Sequence, residues 1–378
     1  MKSIEIVPVV KDYAWGNKDF IPSLVGGYTG GSQAELWMGT HPSGEAMVKD
    51  GPSLRTWLED NKEALGKDEL PLLFKVLAIN SPLSLQCHPN LEQAKEGWER
   101  EAEARANGES VNYQDDNEKE EVIAALSPIT AMCGFRPLSD IKKNLETVTP
   151  SLYEKKIRKC ESPKDIFFSL YSLNEEERKS ALEEFASLLE SNAASSWNGN
   201  FLTEKGISQK CLKEYPGDIG ALFPYILNVV HLRIGEALYL KPGTLHAYVY
   251  GNGIELMSSS DNVLRGGLTR KKIDLEELER IMTFESVDIK KAKSALDRFG
   301  RRVYETPSTV FRLLEAQSGE YHINTGSCML ILITEGQAQI REPDGVLDLK
   351  KGSVALIPKS LSNYTLLVHG EVFMAEVV

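Results

Sequence analysis

The chain has no stretch that a membrane or an export route would require. Its first residues, MKSIEIVPVVKDYAWG, contain no uninterrupted apolar segment of signal-peptide length. The longest apolar run of the C-terminal part, Cys328 to Ile333, is far too short to span a bilayer. A cytoplasmic location without a membrane partner is the default expectation. Cysteine is scarce: Cys87, Cys133, Cys160, Cys211 and Cys328 are an odd number with no paired spacing, which suggests neither a disulfide framework nor a CxxC zinc site. They are expected to be reduced and mostly buried. Positive charge is also short, with 43 Lys and Arg against 55 Asp and Glu and a formal charge of -12. That balance opposes non-specific binding to nucleic acid or anionic lipid, because both need a net basic surface or a large basic patch. A small anionic substrate would still be admitted by a local cluster of cations that reverses the field inside one cleft.

What is present is a globular composition, 42% hydrophobic and 26% charged over 378 residues, with room for two or three domains and no low-complexity tract. A monomer is expected. Short apolar strands (Ile4 to Val10, Ala46 to Val48) broken by turn residues open the chain, followed by an amphipathic segment near Leu54 to Leu65. The run PLLFKVLAINSPLSLQCHPN reads as strand, and AKEGWEREAEARA as a surface helix. From Ser162 to Ser191 the chain is rich in Leu, Ala, Glu and Lys at helical spacing, and strand signals return at Tyr225 to Leu240 and His246 to Met257. Leu275 to Phe299 reads as helix. Beyond Val310 the text is short alternating strands broken by Gly or Pro.

Two segments, GEALYLKPGTLHAY and KGSVALIPKSLSNYTL, share a pattern of Gly, apolar strand, Pro and polar turn, a weak repeat resembling the second half of a cupin motif. The first leads to His246; the second offers Asn363 or Tyr364, so metal is expected only in the first barrel. The fold expected is therefore mainly β with α: two cupin-like jelly-roll β domains plus an all-helical insertion. The boundaries are 1–139 with 216–272 for the catalytic cupin domain, 140–215 for the helical insertion, and 273–378 for a helical connector and the C-terminal cupin-like β domain.

Several residues could carry chemistry. Gln86 and His88 lie two apart in a strand-like run, so both side chains project from one face and can reach one ion, while Cys87 between them points to the other face. A His before Pro is also read as a hydrogen-bonded turn residue. Glu121 lies in the charged run NEKEEVIAAL, whose plain reading is a solvated helix start. His246 stands at a strand entry, where a half-exposed polar residue is ordinary. The segment that follows it packs Glu255, Asp261 and Arg265 into strands leading to a loop, a polar density typical of a site. Trp15 and Trp37 read as core or as a sugar-facing wall, and His41 as a turn hydrogen bond or a supporting residue.

The blocks then become specific. LSLQCHP (Leu83 to Pro89), KEEVIAALSPITAMCGF beginning at Lys119, and HAYVYGNGIELMSSSDNVLRGGLTRK (His246 to Lys271) occur in this order, preceded by YAWG at Tyr13 and AELWMGTHPSG at Ala34. In these blocks, which span most of residues 13–272, the sequence resembles the type I phosphomannose isomerases of the cupin superfamily. The resemblance implies interconversion of mannose 6-phosphate and fructose 6-phosphate with one Zn2+ per chain and a small phosphosugar as partner. It implies Gln86, His88, Glu121 and His246 as metal ligands and Arg265 as a catalytic residue, with Glu255, Asp261 and Lys119 lining the same pocket. Ser84 and Lys271 match positions proposed for substrate or phosphate contact, and Lys75 stands beside these motifs as a further cation. Where the family commonly has His-Lys-Pro-Glu, this chain has Glu118, Lys119, Glu120 and Glu121, which leaves Glu120 as a rival to Glu121.

The implied donors, two imidazoles, a carboxylate and an amide oxygen, suit a borderline divalent ion. Glu255 and Lys119 are both candidates to move the proton, with Glu255 favoured. A cupin dioxygenase would instead use a facial triad around a redox-active iron, and a binding protein that had kept the fold without activity would be expected to lack a ligand or the arginine; none is missing.

Overall fold

The computed structural model describes residues 1–28 and 30–378, and it is mainly β with helices. Two antiparallel sheets dominate. The first has ten strands, and its central element is the long strand His246–Ser258, which pairs along its first part with Ile129–Phe135 and Leu85–Cys87 and along its second part with Leu72–Ile79 and Glu121–Ala125. The change of partner is made at Gly251, whose φ of 114° and close approach to the Pro128 carbonyl leave no room for a Cβ. One strand can thus place His246 near one set of neighbours and Glu255 near another.

The second sheet has nine strands and is built mostly from Phe311–Ile323, Met329–Glu342 and Tyr364–Val377. Its edge differs from the domain limits expected from sequence. Ile4–Val7 pairs with Val354–Ile357, and Met47–Val48 pairs with Ile4–Val7, so the first strand of the chain belongs to the C-terminal sheet. A core that includes Leu36, Phe74, Val76 and Leu256 from one sheet and Phe311, Leu330, Leu356 and Phe373 from the other runs between them. Alternation identified the first strand, but nothing local names its partner.

The segment expected to be all-helical carries helices Leu138–Val148, Pro163–Tyr171, Glu175–Ser191 and Glu204–Glu214. It also holds a small hairpin, Trp197–Asn198 with Phe201–Leu202, closed by Gly199 at φ 59°. A two-residue turn opening with Gly at positive φ matches the right-handed twist of paired strands, and Gly199-Asn200 is such a turn. Phe167 and Phe185 lie in one buried cluster with Leu85, Met132 and Phe135, so this segment shares a core with the back of the first sheet. Leu275 to Phe299, expected as helix, is helical only over Leu275–Ile281. Beyond it Val287 N–H donates to the Phe135 carbonyl and Ala292 N–H to the Ala237 carbonyl. Sheet contacts there override a local helical tendency worth only tenths of a kcal/mol per residue. Among the described residues no helix is long and apolar enough to cross a membrane.

Candidate active site

Strand register assembles the site. His246 stands opposite Gln86, Gln86 opposite Arg265, Glu255 opposite Lys75, Met257 opposite Glu121, and Lys75 opposite Trp37. Directly paired residues project from the same face of a sheet, so segments far apart in sequence present these side chains to one cavity of about 530 Å³. Ser84, Lys75, Gln86, Lys119, Glu121, His246, Glu255, Asp261, Arg265 and Lys271 all line it. His88 sits just behind that wall, its Nε2 3.3 Å from Lys119 Nζ.

His88, Glu121 and His246 form a buried cluster whose ligand atoms all lie within 4.8 Å of one another. His88 Nε2 is 3.5 Å from Glu121 Oε1 and His246 Nε2 is 3.6 Å from Glu121 Oε2. The other nitrogen of each ring is committed: His88 Nδ1–H donates to the Asn262 carbonyl at 2.7 Å and His246 Nδ1–H to the Thr244 carbonyl at 2.9 Å. Because a carbonyl only accepts, each Nδ1 carries the proton and each Nε2 turns a lone pair toward the cluster. Burial also disfavours the imidazolium, pushing His246 down to about 4 and His88 well below its ordinary value. Two neutral imidazoles and a carboxylate with converging lone pairs, and Gln86 on the same wall, fit a divalent cation.

Glu121 was open to a solvated reading and is instead 2% exposed, the first residue of the strand Glu121–Ala125. Glu120, its rival in sequence, faces elsewhere: it accepts from Tyr239 Oη at 2.6 Å and from Ser308 Oγ at 2.5 Å. The turn ahead of them is pinned from the far strand, since Glu120 N–H donates to Ser258 Oγ and Ser258 Oγ–H to the Glu118 carbonyl. Asn262, fully buried, does the same one step further out. Its Nδ2 faces the Asp115 and Asn117 carbonyls at 2.9 Å each, and its Oδ1 accepts from Gln114 N–H at 2.8 Å.

The other wall is charged. Lys75 Nζ lies 3.1 Å from Glu255 Oε2, 3.9 Å from Glu35 Oε2 and 5.2 Å from the Trp37 ring centroid. Burial alone would lower Lys75, but Glu255 and Glu35 outweigh it and hold the ammonium above its ordinary value. Burial would likewise raise Glu255, but Lys75 and Lys119 outweigh it and keep the carboxyl below its usual range. Lys119, in contact with Glu121, is brought down to about 7, burial being the largest cause. Arg265 has no carboxylate within ion-pair distance among the described residues. Asp261 Oδ2 accepts from His41 Nε2–H at 2.8 Å, a bond that holds the carboxyl below its usual range, while His41 Nδ1 accepts from Ser43 N–H. His41 thus fills both roles considered for it.

Sequence reasoning missed Glu35, which also accepts from Trp37 Nε1–H, and Tyr13 and Tyr248, which line the same cavity. Their signal was available: Glu35 alternates with Trp37 on the strand Glu35–Met38, and Tyr248 lies two residues beyond His246 on the same strand face. Trp37 is on the cavity wall, and Trp15 stacks on Tyr13 beside it with ring centroids 6.0 Å apart.

A buried cluster of possible metal donors thus adjoins a cavity lined by several cations. A family model described as "Phosphomannose isomerase type I, catalytic domain" matches residues 4–138. Mannose-6-phosphate isomerase of Escherichia coli strain K12 is 35% identical over 97% of this chain and 97% of its own length, and that of Homo sapiens 30% over 86% and 83%. Among solved structures, a glutamate-to-alanine mutant of phosphomannose isomerase from Salmonella typhimurium has a TM-score of 0.90 at 31% identity, covering all of both chains. A mannose 6-phosphate isomerase bound with zinc and yttrium has the same score and identity. The chain belongs to the type I phosphomannose isomerase family.

Proposed function

We propose that this protein interconverts mannose 6-phosphate and fructose 6-phosphate through an enediolate, with one zinc ion held by Gln86, His88, Glu121 and His246. The observation that carries the reading is the convergence of the His88–Glu121–His246 cluster with Lys75, Lys119, Arg265 and Lys271 around one cavity. Held by these residues, zinc would supply Lewis-acid polarisation of a sugar oxygen.

The reaction removes the proton from C2 of the open-chain aldose, shifts that electron pair into a C1–C2 double bond as the C1 carbonyl pair moves onto O1, and then returns a proton at C1 as O2 becomes the new carbonyl, its proton being passed on to O1. Glu255 suits the base, because Lys75 and Lys119 keep it ionised at neutral pH while the surroundings exclude water from it. Lys119, near 7, can give and recover a proton at a sugar oxygen in the working range. Arg265, not engaged by a carboxylate, is free to stabilise the negative charge that develops on the enediolate oxygens, and such preorganised donors are worth about 3–4 kcal/mol each. Lys271 and Ser84, with Arg270 beside them, reach the phosphate; Asp261, held by His41, orients a sugar hydroxyl. The two-domain cupin organisation, with its helical segment packed behind the catalytic sheet, would keep this arrangement rigid.

The test is turnover of mannose 6-phosphate to fructose 6-phosphate before chelation, after it, and with zinc restored. Activity that disappears with chelator and returns with zinc supports the proposal; a chelated, metal-free protein with full turnover would refute it.

A further inference from the structure

Residues 268–271 follow the strand Leu264–Gly267, belong to no strand or helix, and line the catalytic cavity. They include Arg270 and Lys271, both exposed. Leu268 stands at φ 50°, a left-handed conformation that a branched side chain rarely adopts. Such a backbone persists only where its surroundings hold it, and here the hold comes from the chain packed behind the catalytic sheet.

Tyr171 Oη, at the end of the helix Pro163–Tyr171, donates to the Gly266 carbonyl. The Leu268 side chain is fully buried in one cluster with Phe167, Ile219 and Phe223, and it packs so closely on Gly220 that a Cβ there would meet Leu268 Cγ at 3.0 Å. Asp218, in the turn after the helix Glu204–Glu214, makes the directed tie. Its Oδ1 accepts Gly220 N–H at 2.7 Å and its Oδ2 accepts Thr269 N–H at 3.1 Å. Thr269 Oγ1 in turn accepts Lys271 N–H at 3.1 Å, so the tie passes on to the residue that carries the lysine. Capping the helical turn at Gly220 needs only one acceptor; the second oxygen is what reaches the loop. The same turn holds the opposite side of the cavity, because Tyr215 Oη donates to the Pro82 carbonyl at 2.8 Å, two residues before Ser84.

We propose that Asp218 is a positioning residue for substrate binding: through Thr269 N–H it fixes the 268–271 loop in the shape that presents Lys271 to the phosphate, a role that rests on the proposed phosphosugar substrate. Asp218 touches no reacting atom. It acts at the phosphate end of the substrate, where contacts are alike in the ground and transition states, so its loss weakens binding and spares the chemical step. The helical segment is thereby a support of the substrate loop and not only a cover for the back of the sheet.

Two variants of the zinc-loaded protein test this. Asp218→Asn keeps the size and one acceptor for Gly220 but turns an amide donor toward Thr269 N–H, and Asp218→Ser keeps a capping oxygen with nothing long enough to reach the loop. In both, the KM for mannose 6-phosphate should rise about tenfold, the equilibrium worth of one hydrogen bond to a charged group. Turnover number should stay within about twofold of the wild type, and zinc content should be unchanged. A residue that served only the fold would lower the urea midpoint and leave KM where it is. Amide exchange in the 266–272 peptide needs no turnover: it should be faster in both variants, and inorganic phosphate should slow it in the wild type more than in either variant. An unmoved KM in Asp218→Asn, or a peptide that exchanges as in the wild type, would overturn the role of Asp218. A wild type that turns over no mannose 6-phosphate would overturn the substrate reading instead, and the exchange comparison would still decide for or against Asp218.

Discussion

Asn262 makes no contact with the metal cluster through its side chain, yet the geometry makes it the support of His88. Its carbonyl fixes the His88 tautomer at 2.7 Å, and its side chain, 0% exposed, holds the Gln114 N–H and the Asp115 and Asn117 carbonyls at 2.8–2.9 Å. Asn262→Ala removes the partner of three backbone groups packed around a fully buried side chain. At about 1 kcal/mol per lost bond the metal-free protein should lose about 3 kcal/mol of stability. The carbonyl survives the substitution but loses its anchorage, and a supporting group of this kind typically accounts for 10–100-fold in metal affinity. Urea unfolding of the chelated protein measures the first quantity, and competition with a zinc-binding dye at pH 7.5 measures the second. A variant with wild-type zinc affinity and less than about 1 kcal/mol of destabilisation would show that the Asn262 network supports neither fold nor site.

The remaining expectations separate the roles of individual residues. Arg265→Ala should depress turnover about 100-fold or more while zinc content stays near that of the wild type, whereas His88→Ala should lose zinc and turnover together; metal analysis beside initial rates distinguishes them. Glu120→Gln should leave zinc content unchanged because Glu120 faces Tyr239 and Ser308, and Glu121→Gln should not; loss of zinc in the first variant would reverse the assignment. Metal-free protein should lose stability as pH falls from about 6.5 toward 4, because burial depresses His246 to about 4 and the unfolded chain binds the extra proton across that window. His246 alone contributes on the order of 3 kcal/mol, and His246→Gln should flatten the slope in acid unfolding; an unchanged slope would refute the cause given.

Some of the site was legible before any coordinate was known. Period-two alternation put Gln86 and His88 on one face and Cys87 on the other, and Cys87 is in fact buried in the core behind the sheet. The polar run after His246 announced a site, and Glu255, Asp261 and Arg265 all reach the cavity. Glu121 was not legible from its own neighbourhood, because a charged run before an apolar one reads the same whether it begins a solvated helix or a buried strand. What decided it was Leu240 and Met257, which pair with it from strands more than a hundred residues away. Glu35 shared a strand face with Trp37 in the sequence, but its role comes from Lys75 and Glu255, which only the fold brings to it. The strand Ile4–Val7 was recognisable as a strand and not as an edge of the C-terminal sheet, and the chain after Ile281 gave up its helical tendency to contacts with Phe135 and Ala237. Sequence alone thus determined which residues could share a face and which chemistry they could carry, because side-chain period and donor type are local properties. Only the tertiary structure decided which faces meet, because strand partners are chosen by burying apolar surface between segments distant in the chain, a choice no local pattern encodes.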